Sequence, residues 1–373
     1  MAQLTAEQIA SVKQDRLKKE RQEMLKAARA RIMQGIARNN NRSGERALWE
    51  LIQNARDLSQ SAVIKIVLDK ESLSFSHQGE PFDLDTLSNL IKQQSTKNEG
   101  DDKVGQYGTG FMTTHVFSRK VYISGDCQIN YGNGEKIFVP LPHGFCLDRT
   151  SDDEDVFIHE MDRELSLTSD LISHEGKDYP CEWTTFRYEL NPSRLVDVSN
   201  QAETTTRLMP YALVFNDRIS KCTIYNRING NSTAYSKSDK RRVENFDGKP
   251  YARFITIINV IANGVHSNVE IHSIETLDGK DRIIIPPLPL GFDDVNKIPS
   301  HFLFFPMLGT ENFGTNFIFH SSRLFPTEPR NSYLLPQDND GLMTKYKQNE
   351  LVLDELFNML FDYYRRLIRF AYI

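Results

Sequence analysis

One helix-forming segment carries polar side chains whose types and spacing could do chemistry. Residues 50–57 read E-L-I-Q-N-A-R-D, and Glu50, Asn54 and Asp57 stand at positions i, i+4 and i+7. A helix therefore places all three on one face. A carboxylate can accept a proton from an attacking water, and an amide oxygen is a ligand that suits Mg²⁺. Taken alone, polar residues at this spacing more often form an ordinary solvated helix face.

A glycine-rich segment could bind an anion. Residues 104–111 read V-G-Q-Y-G-T-G-F and lead into a predicted helix at 111–117. Glycines let the backbone approach a phosphate closely, and the amides at the start of a helix can donate to it. The simpler alternative is an ordinary turn. The P-loop pattern that ends in Gly-Lys-Ser/Thr is absent from the sequence, and the strand order does not fit a dinucleotide fingerprint.

Two shorter segments complete the pattern. S-H-Q-G-E-P-F, at residues 76–82, follows a predicted strand, and W-T-T-F, at residues 183–186, opens another. Each is weak by itself, but their order along the chain is informative. A helix with Glu50 and Asn54 comes first, followed by a strand with a glycine turn and by a polar loop at 95–103. The glycine-rich segment and a threonine on a strand come last.

This order resembles that of the GHKL ATPases, which bind ATP in a Bergerat-type pocket. The superfamily includes gyrase-type topoisomerases, ninety-kilodalton heat-shock chaperones, histidine kinases and the mismatch-repair protein MutL. The two longest motifs are most similar to those of the heat-shock chaperones and of sacsin-like bacterial ATPases, and the resemblance covers about residues 43–190. It implies ATP and Mg²⁺ as ligands and ATP hydrolysis as the activity.

The resemblance assigns roles to the polar face of the first motif. Glu50 would be the general base that activates the attacking water, and Asn54 would bind Mg²⁺. Asp57 would brace the pocket floor or hold a water near the base. A structural ion pair of Asp57 with Arg56 or Lys97 is the alternative. Lys97 would also belong to a lid, formed by the loop at 95–103, and meet a phosphate.

The resemblance also implies which residues hold the phosphates and the base. The loop that wraps the phosphates, through its glycines and its backbone amides, would consist of Gly105, Gln106, Tyr107, Gly108, Thr109, Gly110 and Phe111. Thr185, or its neighbour Thr184, would hold a water that touches the adenine ring.

The sequence departs from the family at the residue that reads adenine. The usual motif is D-x-G-x-G, and its aspartate accepts a hydrogen bond from the adenine amino group. Here His77 replaces the aspartate, Gly79 keeps the first glycine, and Pro81 stands at the second. A neutral imidazole can accept a hydrogen bond through its unprotonated nitrogen. His77 therefore either reads the base in this way or leaves it to backbone and water.

The second half of the chain resembles the transducer domain of these ATPases, an α+β domain similar to ribosomal protein S5. In that arrangement a basic residue reaches the γ-phosphate and stabilises the charge that develops there. Arg323 and Arg330 are the candidates. Arg330 is preferred because it stands in a proline-bounded loop after a strand, and a surface arginine without a ligand is the alternative.

Hydrophobic patterning predicts an α+β fold, with a Bergerat-type mixed sheet covered by helices on one face and then the transducer-like α+β domain. The predicted domains are a helical extension at 1–42, the ATP-binding domain at 43–190 and the transducer-like domain at 191–373. Strands are predicted at 62–68 and 120–124. A helix is predicted at about 44–58, with Ser43 as its N-cap and a buried apolar stripe formed by Leu48, Leu51, Ile52, Ala55 and Leu58. Residues 125–182 give mixed signals that favour irregular hairpins or an insertion. A helix at 202–215 is expected to be interrupted by Pro210, and Lys237, Lys240, Arg241 and Arg242 are expected in a polar loop.

Composition limits the alternatives. The 373-residue chain has a net charge of −5, so it lacks a strongly basic footprint for nucleic acid. Its four cysteines form no C-x-x-C pair, which gives no sign of a zinc site or a disulfide framework. The sequence shows neither a signal-peptide core nor an apolar run of membrane-spanning length. We therefore expect a cytoplasmic protein without a membrane partner. The apolar final residues suggest either a longer chain or a partner that covers them.

The predicted function is Mg²⁺-dependent binding and slow hydrolysis of ATP, with lid closure and association of two protomers. A chaperone-like role, or one in bacterial antiviral defence, is expected by analogy, with an unidentified protein client. The alternatives are a nucleotide-sensing module that does not hydrolyse ATP and a DNA-handling clamp resembling MutL or the MORC-type ATPases. The acidic charge weighs against the clamp. A histidine kinase is disfavoured because the sequence shows no dimerisation helix with a phosphoacceptor histidine before the predicted pocket.

Overall fold

The computed structural model describes residues 4–38, 41–94, 110–246, 248–285, 298–311, 315–327, 332–333 and 343–371. The chain has an α+β fold with mixed sheets and forms two compact units. Residues 1–59 and 69–198 belong to the first unit, and residues 60–68 and 199–373 belong to the second.

The helices are α1 (Ala6–Arg38), α2 (Asn41–Asp57), α3 (Leu84–Lys92), α4 (Gly110–Thr113), α5 (Glu154–Asp170), α6 (Leu195–Phe215) and α7 (Met343–Ala371). The first eight strands are β1 (Ala62–Leu68), β2 (Ser72–Gln78), β3 (Phe82–Asp83), β4 (Lys120–Ser124), β5 (Asp126–Tyr131), β6 (Glu135–Pro140), β7 (Cys146–Asp148) and β8 (Thr184–Glu189). The other eight are β9 (Ile219–Asn226), β10 (Asn231–Asn245), β11 (Tyr251–Ala262), β12 (Val265–Thr276), β13 (Asp281–Ile285), β14 (His301–Leu303), β15 (Phe305–Pro306) and β16 (Ile318–Ser321).

Among its described residues, the first unit contains an antiparallel sheet and the helices α1 to α5. Its strand order is β2-β8-β4-β7, and a smaller sheet has the order β3-β5-β6. Helix α2 faces this core with an apolar stripe at helical spacing, Leu48, Leu51, Ile52 and Ala55, each at most 2% exposed. Helix α3 begins at the N-cap Asp83, whose carboxylate accepts a hydrogen bond from the Thr86 amide at 2.6 Å.

The second unit contains the longer sheet, with the strand order β15-β14-β16-β13-β12-β11-β10-β9-β1. Most neighbours are antiparallel, but β1 pairs with β9 and β14 pairs with β16 in the parallel sense. One face of α7 packs in a core whose members include Ile274, Ile283, Phe319, Leu356 and Leu360. These apolar contacts hold α7 in the second unit.

The irregular hairpins expected between residues 125 and 182 are only part of what forms there, because the acidic run starts a helix. Asp153 is the N-cap of α5, and its carboxylate accepts a hydrogen bond from the Val156 amide at 3.0 Å. Glu154 and Asp155 then lie in the first turn, where the helix dipole stabilises negative charge. The acidic residues that looked like a loop are therefore the start signal of a helix.

Two other expectations in the second unit are wrong. Helix α6 is continuous through Pro210. Proline leaves the carbonyl of Thr206 without its helical donor, and the Tyr235 hydroxyl donates to that oxygen at 2.8 Å. The basic segment at 237–242 lies within β10. Its two lysines are paired there, since the Nζ of Lys237 lies 2.7 Å from Asp217 and that of Lys240 lies 2.6 Å from Glu275.

Within the described ranges, no helix is long and apolar enough to cross a membrane.

Candidate functional site

Glu50 lies at the edge of the buried face of α2. The residue is only 8% exposed, because the apolar stripe of α2 turns it toward the interior. Oε1 accepts a hydrogen bond from Nη2 of Arg46, one helical turn earlier, at 2.8 Å. Arg46 was not among the predicted site residues, although its i, i+4 spacing from Glu50 was the signal that could have identified it.

The second carboxylate oxygen of Glu50 faces the start of α4. A Cβ atom added at Gly110 would lie 2.4 Å from Oε2 of Glu50 and 3.2 Å from its carboxyl carbon. Only a glycine allows this approach, since real Cβ atoms do not come so close to another heavy atom. The two longest sequence motifs, which are about fifty residues apart, therefore meet at this contact. No described residue donates a hydrogen bond to Oε2.

Asn54 and Asp57 follow Glu50 along α2. Asn54 is half-buried, and its carbonyl oxygen accepts the amide of Leu58 at 3.2 Å. Oδ1 of Asp57 lies 3.0 Å from Nη1 of Arg56, and both side chains are almost fully buried. The ion pair named as the alternative for Asp57 is therefore present, whereas its partner role with a nucleotide stays a prediction.

His77 is buried in the last part of β2, beside aromatic rings. The ring of Phe186 lies 6.3 Å away in a stacked arrangement, and the ring of Phe75 lies 6.2 Å away. Burial lowers the pKa of His77 from 6.5 to about 4, so the ring is neutral near pH 7. Its Nδ1 has no hydrogen-bond partner among the described residues. A buried ring nitrogen without a partner is an unused recognition group.

Gly79 lies directly beside this nitrogen. A Cβ atom at Gly79 would lie 3.3 Å from Nδ1 of His77 and 3.2 Å from the carbonyl oxygen of Leu58. The turn after β2 is held against the end of α2 by a backbone hydrogen bond, because the Glu80 amide donates to the same Leu58 carbonyl at 3.1 Å. A side chain at position 79 would crowd Nδ1, so the glycine keeps space next to it.

Thr185 lies on the strand that pairs with β2. The register places Ser76 opposite Thr185 and His77 opposite Thr184. The hydroxyl oxygens of Ser76 and Thr185 lie 2.9 Å apart, and Thr185 is half-buried whereas Thr184 is buried. Strand pairing therefore brings the third and fourth sequence motifs together. Because side chains alternate along a strand, Thr184 shares the sheet face of His77, whereas the hydroxyl pair of Ser76 and Thr185 lies on the other face.

Phe111 connects α4 to this aromatic group. Its ring lies 5.7 Å from that of Phe186 and 6.0 Å from that of His115. Nε2 of His115 lies 2.5 Å from Nε2 of Gln93, which follows α3 in the left-handed conformation with φ of 49°. Burial lowers the pKa of His115 to about 3. Gln93 and His115 were not among the predicted site residues, since nothing in their spacing relates two residues on different elements.

Several predicted residues lie outside the described part of the chain. These are Lys97, Gly105, Gln106, Tyr107, Gly108, Thr109 and Arg330. Arg323, the other arginine candidate, is described, and its Nη2 lies 2.5 Å from Asp281 and 2.5 Å from Glu355. These two ion pairs hold Arg323 within the second unit.

The described groups fit a magnesium nucleotide. Glu50 offers an oxygen without a donor beside Gly110, Asn54 offers an amide one turn away, and His77 offers an unpartnered ring nitrogen. Among the described residues, no three His, Cys, Asp or Glu side chains form a cluster that could hold a metal. Glu50 and Asn54 offer oxygen atoms of the kind that Mg²⁺ accepts as ligands beside waters and substrate phosphates.

Comparison with known proteins adds little to this geometry. No family model matches the chain, and no curated protein matches it. Among solved structures, it is similar to the crystal structure of the ATPase region of Saccharomyces cerevisiae topoisomerase II, with a TM-score of 0.27 and 11% identity. The match covers 54% of this chain and 59% of that chain, so this chain spans less than two thirds of that structure's length. A likeness of this extent gives no residue a role.

Proposed function

We propose that this chain binds ATP with Mg²⁺ and hydrolyses it, with Glu50 as the general base. The contact that supports this most directly is the approach of Gly110 to Oε2 of Glu50. It brings a buried carboxylate with one oxygen lacking a donor to the end of a glycine-rich segment. A proton acceptor beside a phosphate-binding backbone is what hydrolysis by an activated water requires.

Each residue of the α2 face has a defined task in this proposal. Glu50 accepts the proton of the attacking water at Oε2, while the Arg46 guanidinium fixes the carboxylate through Oε1. Asn54 holds the metal through its side-chain oxygen. Mg²⁺, when bound, neutralises phosphate charge. Asp57 keeps Arg56 in place and thereby supports the end of α2 next to Leu58 and Gly79.

The base-recognition part of the proposal depends on His77. Its ring is neutral at pH 7, so one nitrogen donates and the other accepts, according to the tautomer. Nδ1, which is buried without a partner among the described residues, is the nitrogen assigned to the nucleotide base. Thr184, which lies opposite His77 in the strand register and on the same sheet face, holds a water next to the same base.

The remaining features rest on the resemblance of the motifs to GHKL ATPases. They include phosphate contacts from residues 105–111, a lid with Lys97, and Arg330 at the γ-phosphate. The ATP-binding domain is assigned to 43–190, the transducer-like domain to 191–373 and the helical extension to 1–42. Association of two protomers on nucleotide binding, a cytoplasmic location and a chaperone-like or defence role belong to the same proposal.

The test is Mg²⁺-dependent phosphate release by the purified chain, measured beside Glu50→Gln, with ATP binding followed by calorimetry. We expect turnover to fall about 10²- to 10⁴-fold in Glu50→Gln because its amide cannot accept the proton. ATP binding should remain within about threefold. Glu71→Gln is the matched control, since Glu71 is exposed in the turn before β2 and should leave both quantities unchanged. Absence of ATP binding by the parent chain would overturn the pocket assignment.

A nucleotide-sensing module that does not hydrolyse ATP is the second candidate. The ion pair between Arg46 and Glu50 favours this candidate. Glu50 would lose the ion pair if it accepted a proton, so the pair opposes its action as a base. The same experiment separates the two functions. Tight ATP binding by the parent chain with no phosphate release, in either the presence or the absence of Mg²⁺, would identify a sensor.

A further inference from the structure

Helix α7 has a second apolar face in addition to the one that packs in its unit. The packed face contains Val352, Leu356, Met359, Leu360 and Tyr363. The other face carries large apolar side chains that remain exposed, namely Leu351 at 58%, Phe357 at 42%, Phe361 at 59% and Ile368 at 55%. Phe357, Phe361 and Ile368 follow at spacings of four and seven residues, so they form one stripe along the helix.

Unpaired charges of opposite sign flank this stripe. Glu350 and Asp354 lie in the first half of α7, and Arg365 and Arg369 lie in the second half. All four are exposed, and none forms an ion pair within the described part of the chain. By contrast, the charged residues of α7 nearer the core are paired, as Glu355 is with Arg323, Asp362 with Lys249, and Arg366 with Asp362.

The exposed face is arranged symmetrically about its middle. The midpoint of Glu350 and Arg369 falls between Met359 and Leu360, and the midpoint of Asp354 and Arg365 falls at the same place. The midpoint of Leu351 and Ile368 also falls between Met359 and Leu360. When a second α7 is laid antiparallel on the first, each acidic residue therefore faces an arginine. Phe361 of each copy then lies over the Phe357–Phe361 turn of the other.

We propose that the exposed face of α7 is a homotypic docking surface that binds α7 of a second copy of this chain in antiparallel orientation. The stripe supplies apolar contact, and the four charges select the antiparallel register. The contact spans about five helical turns, which is at the small end of specific interfaces. We therefore expect a dissociation constant on the order of micromolar. The pairing needs no nucleotide and is independent of the ATP site in the first unit.

The first test is sedimentation velocity of the nucleotide-free chain over a wide range of concentration. We expect a monomer–dimer equilibrium whose dissociation constant rises at least about tenfold in Phe361→Asp. Phe361 is exposed, so the variant should keep the parent's circular dichroism spectrum and melting temperature. Tyr179→Asp is the matched control, because Tyr179 is an 81% exposed aromatic residue of the first unit. A monomer at every concentration, or a dimer unaffected by Phe361→Asp, would overturn the proposal.

The second test examines the register through charge reversal. Asp354→Arg places two arginines together, and Arg365→Asp places two carboxylates together, so each should weaken the dimer about tenfold. The double variant restores opposite charges in an antiparallel pair and should return the dissociation constant to within about threefold of the parent value. Additive weakening in the double variant would exclude the antiparallel register.

Discussion

Two buried carboxylates of the first unit, Glu164 and Glu50, differ in how many of their oxygens accept a hydrogen bond. Glu164 is fully buried, and its Oε1 accepts hydrogen bonds from the Asp148 amide at 2.9 Å and from Nη1 of Arg149 at 2.8 Å. Its Oε2 accepts Nη2 of Arg149 at 2.7 Å. Glu50, in contrast, has a donor only at Oε1, and its Oε2 faces Gly110.

This difference distinguishes a structural carboxylate from one that is available for chemistry. Arg149 also donates to the carbonyl of Ile91 at 3.0 Å and lies 5.5 Å from the ring centre of Phe157. It thereby ties the end of α3 to α5, and no oxygen of Glu164 is left for a ligand. Oε2 of Glu50 has no donor among the described residues, and Nδ1 of His77 is buried without a partner among them. These are the two groups that the proposed function assigns to the attacking water and to the nucleotide base.

Breaking the saturated pair should have the largest effect on stability. Arg149→Met leaves Glu164 as a buried carboxylate without its partner, which we expect to lower the free energy of unfolding by about 3–5 kcal/mol. Urea denaturation measures this. Arg163→Met is the control, because Arg163 forms an exposed pair with Glu160 and should change stability by less than about 1 kcal/mol. Equal effects of the two variants would remove the structural role assigned to Arg149.

The burial of His77 should make stability depend on pH. Its pKa is about 4 in the folded chain against an ordinary 6.5, so the unfolded chain binds a proton first as the pH falls. The stability contribution is complete above pH 6.5 and is lost toward pH 4, reaching a loss of about 2 kcal/mol at pH 5.

Comparison of two histidine variants measures this contribution. We expect His77→Asn to show a shallower decline of unfolding free energy between pH 6.5 and 4 than the parent, whereas the exposed His174→Asn should follow the parent. Parallel curves for His77→Asn and the parent would mean that His77 is not buried in its neutral form. ATP affinity of His77→Asn, measured at pH 7.5, reports separately on base recognition.

A side chain at Gly110 should act through Glu50. Gly110→Ala places a methyl group against Oε2 and forces the carboxylate to move. We expect turnover to fall about tenfold because a misplaced base transfers the proton less well. In the Glu50→Gln background the same substitution should have little further effect. A full tenfold loss in that background would mean that Gly110 acts through the backbone instead.

Removing the cation beside Glu50 should have the smallest effect. Arg46→Gln deprives Oε1 of its charged donor, and we expect kcat to fall about threefold with an unchanged KM, since only the orientation of the base is lost. Arg46→Lys should recover part of the loss. A rise in turnover would instead show that the ion pair restrains the base, which is the behaviour expected of a sensor.

The sequence predicted the elements that depend on local pattern. The strand predicted at 62–68 is β1, with alternating burial, and the strand predicted at 120–124 is β4. Helix α2 has the predicted polar face and buried stripe, although it begins at Asn41 rather than after Ser43. A helix predicted at 111–117 is shorter, because α4 ends at Thr113 and a 3₁₀ turn follows at Thr114–Val116.

Elements whose form depends on distant partners were less predictable. The continuity of α6 past Pro210 requires the hydroxyl of Tyr235, which comes from a strand of the sheet. The charged strand β10 requires Asp217 and Glu275 as partners for its lysines. Neither requirement is visible in a local window, since residue spacing reports only on neighbours along the same element.

The sequence by itself determined which side chains share a face of α2 and which segments could carry glycine-dependent contacts, because helical and strand periodicity are local properties. Only the tertiary structure decided that Glu50 keeps one oxygen without a donor and that Glu164 keeps none. It also decided that Nδ1 of His77 has no partner among the described residues. Hydrogen-bond satisfaction depends on groups from other elements, which only folding brings within reach.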